Sequence, residues 1–307
     1  MTAREPAYDV LVVGGSGVDT VVRVDGLPIP LVDSLGVGPV LEWPGQTGGN
    51  VALGCRTLGM TVKFLDFVGE DWAGTLLRER LAHGGVDFDP LISPAGTRRA
   101  VNLVDATGRR TSFYDGRDPA DLRMPREFYQ PHLRRARHVH LSISHFTRFL
   151  YDDIMELGLP VSADLHDWDG LTEHHREFAH RSDLVFLSAA GTAGRIADVM
   201  RGILRDGRAQ AVVATAGADG AYLLARDGDG TLQHIPAVAP PGPVVDSNGA
   251  GDAFLCGFLY GHMRGLDLVS CARLGATAGA YACTADGNLA LIDAATLESA
   301  QVSRCGS

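Results

Sequence analysis

Short apolar runs alternate with helical stretches through the middle of the chain, and this alternation limits the possible fold more than any other feature. The runs that predict strands lie at residues 138–143, 161–165, 184–187 and 211–215. Stretches with helical spacing of apolar residues lie between them, near 147–157, 171–179 and 193–204. Strands that alternate with helices form βαβ units, whose parallel strands are covered on both faces. The sequence therefore predicts an α/β fold with a central, mostly parallel sheet flanked by helices.

Four strand-like segments in the N-terminal half do not follow this alternation. They lie near residues 20–24, 39–43, 100–105 and 110–115. The last two flank Ala106, Thr107 and Gly108, a sequence typical of a hairpin turn. Together the four segments predict a small inserted β-sheet, which could act as a lid over the strand ends of the α/β domain. We expect residues 1–307 to form one such domain together with its lid.

Charge and composition exclude several classes of protein. The formal net charge of -10 disfavours non-specific binding to DNA, RNA or an anionic membrane surface. The five cysteines include no Cys-x-x-Cys pair, which argues against a disulfide framework or a zinc site and favours a cytoplasmic protein. No apolar run reaches the length of a membrane span, and residues 1–9 lack the apolar core of a signal peptide. We therefore expect a small-molecule partner, not a nucleic acid or a membrane.

The segment from Asp246 to Phe254 joins a loop of small residues to the start of a helix. That helix is apolar nearly all round, so it is expected to be buried and its N-terminus to be fixed in space. The first amides of a helix have no intrahelical acceptor and lie at the positive end of its dipole. Gly249, Ala250 and Gly251 leave those amides uncovered, which predicts an anion hole suited to a phosphate group.

Asp252 follows directly at the mouth of this predicted hole. A carboxylate there can take the proton of an attacking hydroxyl while the amides stabilise charge on a transferring phosphoryl group. Asp is also favoured in the first turn of any helix because of the helix dipole. For this segment alone, a simple capped helix is therefore the alternative interpretation.

Several segments, in order along the chain, resemble the signatures of the ribokinase-like (PfkB) carbohydrate kinases. Residues 246–252, Asp-Ser-Asn-Gly-Ala-Gly-Asp, resemble the C-terminal signature of that family. Residues 48–50 (Gly-Gly-Asn), a turn before a helix, and 69–71 (Gly-Glu-Asp) resemble the N-terminal signature. Asp19 is similar to an early sugar-binding Asp of the family, and residues 215–220 are similar to its nucleotide-binding turn.

The resemblance implies a ribokinase-like fold and an ATP- and Mg²⁺-dependent kinase that phosphorylates a hydroxyl of a sugar or nucleoside, with Asp252 as general base. By the same resemblance, the substrate-binding positions are Asp19, Gly48, Gly49, Asn50, Asn102 and His145. The ATP-binding positions are Ser188, Thr215, Gly217, Gly220 and Ala276. Many members also hold a monovalent cation such as K⁺, and the equivalent positions here are Asp246, Asn248, Ala282, Ala285 and Gly287.

The chain departs from the family at one motif. Where the family has Asn-x-x-Glu after a strand, this sequence has Ser188, Ala189, Ala190 and Gly191. In the family that Glu helps to organise the Mg²⁺ shell. A working kinase without it is expected to hold Mg²⁺ mainly through the ATP phosphates and water, with a raised Mg²⁺ requirement. Restoring the carboxylate by Gly191→Glu is then expected to lower that requirement.

Two other functions fit parts of the sequence. A catalytically weak or inactive homologue that binds a sugar or nucleoside as a regulator is favoured by Gly191 and disfavoured by the intact segment 249–252. A nicotinamide-dependent oxidoreductase is disfavoured because residues 15–17 (Gly-Ser-Gly) lack the third glycine of a dinucleotide fingerprint.

The predicted lid suggests two further properties. An isolated chain would leave one apolar face of the small sheet uncovered, which predicts a homodimer in which two lids pack together. The arginines around the lid are expected in solvated positions, with binding of an acidic substrate as the alternative. They are Arg98, Arg99, Arg109, Arg110 and Arg117.

Overall fold

The structure is a computed structural model that describes residues 6–106, 109–287 and 289–305. In chain order its strands are β1 (Tyr8–Val13), β2 (Gly17–Val24), β3 (Leu41–Gly45), β4 (Val62–Val68), β5 (Asp87–Ile92), β6 (Arg99–Asp105), β7 (Arg110–Asp115), β8 (Ala136–Leu141), β9 (Val161–Asp164), β10 (Leu184–Ser188), β11 (Ala211–Thr215), β12 (Ala221–Ala225) and β13 (Gln233–Ile235). The α-helices are α1 (Gln46–Thr57), α2 (Trp72–His83), α3 (Arg126–Leu133), α4 (Tyr151–Glu156), α5 (Glu173–Arg181), α6 (Ile196–Asp206), α7 (Ala250–Met263), α8 (Leu268–Ala282) and α9 (Ala294–Cys305). Short 3₁₀ helices span His145–Leu150, Ala189–Thr192 and Gly217–Asp219.

The large sheet has nine strands in the order β13-β12-β11-β10-β9-β8-β1-β4-β5. From β11 to β5 all neighbours are parallel, and β12 and β13 add an antiparallel edge. The predicted central, mostly parallel sheet is confirmed. The sequence did not predict β5, whose Pro90 and flanking aspartates are atypical of a strand interior, but β5 lies at the sheet edge, where proline is tolerated.

Helices cover both faces of this sheet because its strands alternate between two apolar cores. In β1, Val10 and Val12 join the core cluster that contains buried residues of α1, α7 and α8. Leu11 and Val13 join the other cluster, which contains buried residues of α3, α4, α5 and α6. Burial on both faces is the usual setting of parallel strands, and it fixes the strand ends that carry the candidate site.

The four irregular segments form a separate four-stranded sheet in the order β3-β2-β6-β7, which we call the lid. Its two middle strands are parallel, and both outer pairs are antiparallel. The predicted small inserted sheet and the hairpin β6–β7 are therefore confirmed, while the role of this sheet as a lid stays a prediction. Thr107 and Gly108 of the predicted hairpin turn lie outside the described residues.

One helix boundary differs from the sequence prediction. The turn expected at residues 48–50 is absent, because α1 begins at Gln46 and so includes Gly48, Gly49 and Asn50. Helix α2 begins after Asp71, whose carboxylate caps it by accepting from the Gly74 amide at 2.8 Å. Within the described residues, no helix has both the length and the apolar character needed to cross a bilayer.

Candidate active site

The N-terminus of α7 is held rigidly because the helix packs into the core through most of its residues, from Phe254 to Gly261. Gly249 precedes it with φ 76°, a left-handed conformation that glycine adopts without strain. A Cβ placed on Gly251 would meet no atom within 4 Å, so the surface at this residue is open, while the Ala250 amide donates to the Ser247 carbonyl at 3.3 Å. Because the other amides of the first turn lack intrahelical acceptors, this opening can hold an anion.

Asp252 lies in the first turn of α7, and its carboxylate accepts a hydrogen bond from Asn50 Nδ2 at 2.9 Å. The pKa of Asp252 is raised to about 8. Burial is the main cause and the nearby charges of Asp164 and Asp19 add to it, whereas the Asn50 hydrogen bond and the charge of Arg110 act in the opposite direction. A carboxyl group whose pKa lies this close to neutrality can both accept and release a proton near neutral pH, which suits a general base. The family resemblance assigned Asn50 and Asp252 to the same active site, and the structure places them in direct contact.

Asp19 lies on β2 of the lid, and its carboxylate accepts from Gln46 Nε2 at 3.0 Å. Burial raises the pKa of Asp19, whereas the Gln46 hydrogen bond and the charge of Arg110 lower it by a smaller amount. The strand register places Asn102 and Tyr114 on the same face of the lid as Asp19. Asn102 is buried and its side-chain oxygen accepts from the Ser112 hydroxyl at 2.6 Å. This face can present hydroxyl-binding groups to a ligand below it.

Gly48 must be small because its backbone packs against another segment, whereas a Cβ on Gly49 would make only ordinary contacts, 3.9 Å from Leu77 and from Ser16. The Gly48 amide donates to the Gly15 carbonyl at 2.8 Å, and a Cβ on Gly48 would lie 1.8 Å from the Gly14 carbonyl oxygen. The start of α1 therefore packs directly against the chain that follows β1, which sets the position of Asn50. A direct contact of these glycines with substrate remains a prediction.

His145 begins the 3₁₀ helix after β8, and its ring lies 5.7 Å from the Phe149 ring and 6.4 Å from the His174 ring. Burial and the nearby charge of Arg148 lower the pKa of the His145 imidazole. A neutral imidazole between aromatic rings at this strand end is suited to contact a sugar. Its role in substrate binding is not tested by these contacts and remains a prediction.

Four of the five positions predicted for ATP lie at or just after neighbouring strand ends. Ser188 ends β10 and Thr215 ends β11, and the two are paired in the parallel register. Gly217 and Gly220 have φ values of 57° and 93°, and a Cβ on Gly220 would lie 2.1 Å from the Ile235 carbonyl oxygen. Ala276 lies on α8, partly buried against the core. Ligands of open α/β sheets bind in such a crevice at the carboxyl ends of the strands.

The positions predicted for a monovalent cation lie where two loops meet. The Asp246 carboxylate accepts from the Asn248 amide at 2.9 Å and from the Gly287 amide at 3.1 Å. Ala282 ends α8, and Ala285 lies in the loop that leads to Gly287. Asp246 therefore joins the loop before α7 to the loop after α8. The described residues contain no group of three or more His, Cys, Asp or Glu side chains arranged to hold a metal ion.

The sequence profile of the pfkB family carbohydrate kinases matches residues 14–158 and 178–294. This chain belongs to the pfkB family. An acarbose 7(IV)-phosphotransferase of Actinoplanes sp. is 47% identical to this pfkB kinase over 277 residues, which cover 90% of the chain and 92% of that protein. A fructokinase of Klebsiella pneumoniae is 30% identical over 286 residues, covering 82% of the chain and 89% of that protein.

Solved structures agree with this assignment. A microbiome-derived acarbose kinase aligns with a TM-score of 0.87 and 41% identity, covering 95% of this chain and 98% of that one. A ribokinase of Arabidopsis thaliana in complex with ribose and ATP aligns with a TM-score of 0.80 over the same shares; at 21% identity it shows the fold alone. The predicted family, the ribokinase-like fold and the enzyme class are confirmed: this pfkB kinase is an ATP-dependent phosphotransferase with an alcohol acceptor.

The expected rescue by Gly191→Glu is wrong for this pfkB kinase. A Cβ on Gly191 would lie 1.7 Å from the Asp167 carbonyl oxygen, so the position has no room for any side chain. The backbone after β9 occupies the space that a side chain at position 191 would need. Because Asp164 ends β9 close enough to raise the pKa of Asp252, this strand, not the 188–191 segment, brings an additional carboxylate to the site.

The sequence hypotheses missed Asp164 and the role of Arg98. An acidic residue that ends a fully buried strand was the available signal for Asp164. Arg98 was expected in a solvated position but is only 2% exposed. It donates to the carboxylates of Asp66 at 3.1 Å and Asp118 at 2.8 Å, and to the Ser16 carbonyl at 3.2 Å. We call Ser16, Asp66, Arg98 and Asp118 the hinge, because three of them lie on connections between the large sheet and the lid.

Proposed function

We propose that this pfkB kinase transfers the γ-phosphoryl group of ATP to a hydroxyl of acarbose or a closely similar oligosaccharide. The observation that carries the proposal is the 47% identity, over nine-tenths of both chains, to a protein named as an acarbose 7(IV)-phosphotransferase. The 41% identity to an acarbose kinase of known structure supports the same acceptor. Relatives with other acceptors, such as the fructokinase, are less similar.

In the proposed mechanism, the acceptor hydroxyl oxygen attacks the γ-phosphorus while its proton passes to the carboxylate of Asp252. The bond from the γ-phosphorus to the bridging oxygen breaks, and ADP leaves. The open amides at the start of α7 stabilise negative charge on the phosphoryl oxygens. Asn50 orients the base through its 2.9 Å hydrogen bond. Asp19 and Asn102 bind acceptor hydroxyls from the lid above.

The residues present also fit a divalent cation. The charge of Asp164 raises the pKa of Asp252, so two carboxylates lie near each other at the site. Carboxylate oxygens and water are the ligands that Mg²⁺ prefers, and Mg²⁺ would neutralise charge on the ATP phosphates. We propose that Asp164 faces this ion on the protein side, while phosphates and water supply most of its ligands and Asp252 remains free to accept the proton. A monovalent cation such as K⁺ is proposed beside the Asp246 loop.

We also propose a homodimer through the lid. The outer face of the lid, opposite Asp19, exposes Val101 and Phe113, which are paired across β6 and β7. The loop between β2 and β3 adds exposed Ile29 and Leu31. A second copy of the chain would cover this apolar surface, and sedimentation as a monomer at micromolar concentration would contradict it.

The test of the acceptor is ADP release with acarbose, fructose, ribose and a nucleoside at saturating ATP and Mg²⁺. We expect the highest kcat/KM for acarbose. Asp252→Asn should lower turnover by about 10²- to 10⁴-fold, the range for loss of a general base. Asp169→Asn, an exposed carboxyl beside the start of α5, is the matched control and should keep full turnover. Faster turnover of a monosaccharide would reject acarbose, and full turnover by Asp252→Asn would reject the mechanism.

A further inference from the structure

Gln46, the first residue of α1, has a backbone conformation that glutamine rarely adopts. Its φ is 54°, and within the described residues the other non-glycine residues with a positive φ are Arg117, His166 and Ala193. A left-handed backbone costs free energy in residues that have a Cβ, and glycine and asparagine adopt it most easily. A strained residue beside a candidate site points to a use of its side chain.

The side chain of Gln46 lies between α1 and the lid. Its Nε2 donates to the carboxylate of Asp19 at 3.0 Å. Its Oε1 lies against strand β2, because a Cβ on Gly17 would be only 2.4 Å from that oxygen. Gly17 pairs with Gly45, the residue before α1, in the register of β2 and β3. The absence of a side chain at Gly17 therefore leaves the room that the amide of Gln46 occupies.

Gln46 is one of two amides of α1 that each bind a carboxylate of the candidate site. One turn further along the helix, Asn50 Nδ2 donates to Asp252 at 2.9 Å. Gln46 thus binds the carboxylate of the lid, and Asn50 binds that of the candidate base. The charge of Asp19 raises the pKa of Asp252, which agrees with a short separation of the two carboxylates. The start of α1 therefore sets the position of the lid carboxylate relative to the base.

The bond between Gln46 and Asp19 leaves both side chains with capacity for a ligand. An amide side chain has two N–H donors and a carbonyl acceptor, and this bond uses one donor. A carboxylate has two oxygens, and the bond uses one of them. Both residues are only partly buried, so a hydroxyl can reach them. Neighbouring hydroxyls of a sugar ring can donate to the carboxylate and accept from the amide, so the pair fits a vicinal diol.

We propose that Gln46 is a specificity-determining residue that binds an acceptor hydroxyl next to the hydroxyl bound by Asp19. This inference rests on the proposed function. One N–H of Gln46 fixes the carboxylate of Asp19, and the second N–H donates to the neighbouring hydroxyl. The acceptor selected in this way has two adjacent free hydroxyls on the ring beneath the lid. An acceptor that lacks one of them leaves a polar group of the pair without a partner, and such a mismatch is strongly disfavoured.

The experiment compares Gln46→Asn and Gln46→Gly with the control Gln233→Asn. Gln46→Asn keeps the amide, shortens its reach by one methylene and suits the left-handed backbone, and Gln46→Gly removes the amide without strain. The control makes the same change at an exposed glutamine of β13. With acarbose as acceptor, both Gln46 variants should raise the acceptor KM by about 10- to 100-fold, the usual loss for hydrogen bonds that involve a charged group. The KM for ATP and kcat should change far less, and the control should keep all three values.

A second readout removes the hydroxyl instead of the side chain. Acarbose derivatives are prepared in which each hydroxyl of the phosphorylated ring is replaced in turn by hydrogen. One replacement should raise the KM strongly for the parent and for Gln233→Asn, but much less for Gln46→Asn, because that variant has already lost the contact. This coupling identifies the hydroxyl that Gln46 binds, and a purely structural role would not produce it.

The outcomes separate this inference from the proposed function. An unchanged acceptor KM in Gln46→Asn would overturn the inference. Equal rises in the KM of acarbose and ATP, with a lower thermal unfolding midpoint, would show that Gln46 only holds the start of α1, with the same consequence. If the parent turns over another sugar of the panel but not acarbose, the proposed acceptor fails, and the same variants test Gln46 with that sugar. Full turnover by Asp252→Asn would instead reject the proposed mechanism.

Discussion

Asp66 at the hinge and Asp252 in the candidate site are two carboxylates shielded from water that have very different surroundings. Asp66 is fully buried and accepts from the Ser16 amide and hydroxyl, the Phe67 amide and the Arg98 guanidinium. Asp252 is partly buried and accepts, within the described residues, from Asn50 alone. Its other charged neighbours include two carboxyl groups that repel its ionised form.

The difference separates a structural role from a chemical one. Three neutral donors and the Arg98 guanidinium bind the Asp66 carboxylate, so this group fixes the chain where the lid leaves the large sheet. Burial and two acidic neighbours make the ionised form of Asp252 costly, a single neutral donor compensates for only part of that cost, and the pKa is raised to about 8. A carboxylate left without full compensation binds protons strongly, which is the property that a general base uses.

The largest effect is expected from Arg98→Met at the hinge. Removing one partner of a buried ion pair typically costs about 3–5 kcal/mol, because the other charge is left uncompensated. The free energy of unfolding in urea should fall by that amount. Arg205→Met removes an exposed ion pair with Asp206 and should leave the unfolding midpoint nearly unchanged. If the free energy of unfolding falls no more in Arg98→Met than in Arg205→Met, the Asp66–Arg98 pair contributes no more to stability than an exposed ion pair.

A gain in stability, not a loss, is expected from a substitution at the candidate site. The pKa of Asp252 is about 8 in the folded protein against an ordinary value of 3.8, so the folded state keeps a proton that the unfolded chain has lost. The stability of the parent should therefore fall as pH rises through this window, between about pH 4 and pH 8. Asp252→Asn does not titrate, so its thermal stability relative to the parent should increase from pH 5 to pH 9.

The control for this change is Asp169→Asn. Hydrogen bonds from the amides of Thr172 and Leu171 lower the pKa of Asp169, so its ionised form is favoured in the folded state. This variant should show no gain in stability at high pH. A difference between Asp252→Asn and the parent that stays constant from pH 5 to pH 9 would mean that Asp252 is ionised throughout.

The smallest effect tests the single donor of Asp252. Asn50→Ala removes a hydrogen bond that lowers the pKa of Asp252. The acid limb of the kcat/KM profile against pH should move upward by about one unit, the size expected for one hydrogen bond to a charged group. Ser16→Ala removes a donor from Asp66 and should leave that limb in place. An unmoved limb in Asn50→Ala would argue that another group is the titrating base.

The sequence by itself determined the regular part of the fold and the family. Strands β7 and β11 have the predicted bounds, because each is a short run of strand-forming residues between turn signals. The N-cap of α2 was equally local, since Asp71 bonds an amide only three residues away. Residues 246–252 could also be recognised from the sequence alone, because a glycine-rich loop before an apolar helix is a local pattern.

Only the tertiary structure decided which side chains meet. Asn50 and Asp252 are 202 positions apart, and Arg110 and Asn248 are 138 apart, so no local pattern records either contact. The same holds for Arg98, whose guanidinium looks solvated in sequence but is buried among hinge groups from three separate segments. Gly191 has no room for a side chain because the backbone at Asp167 packs against it. This contact forms only when β9 and β10 have paired. Local preferences act between chain neighbours, whereas burial, charge compensation and available volume depend on segments brought together by folding.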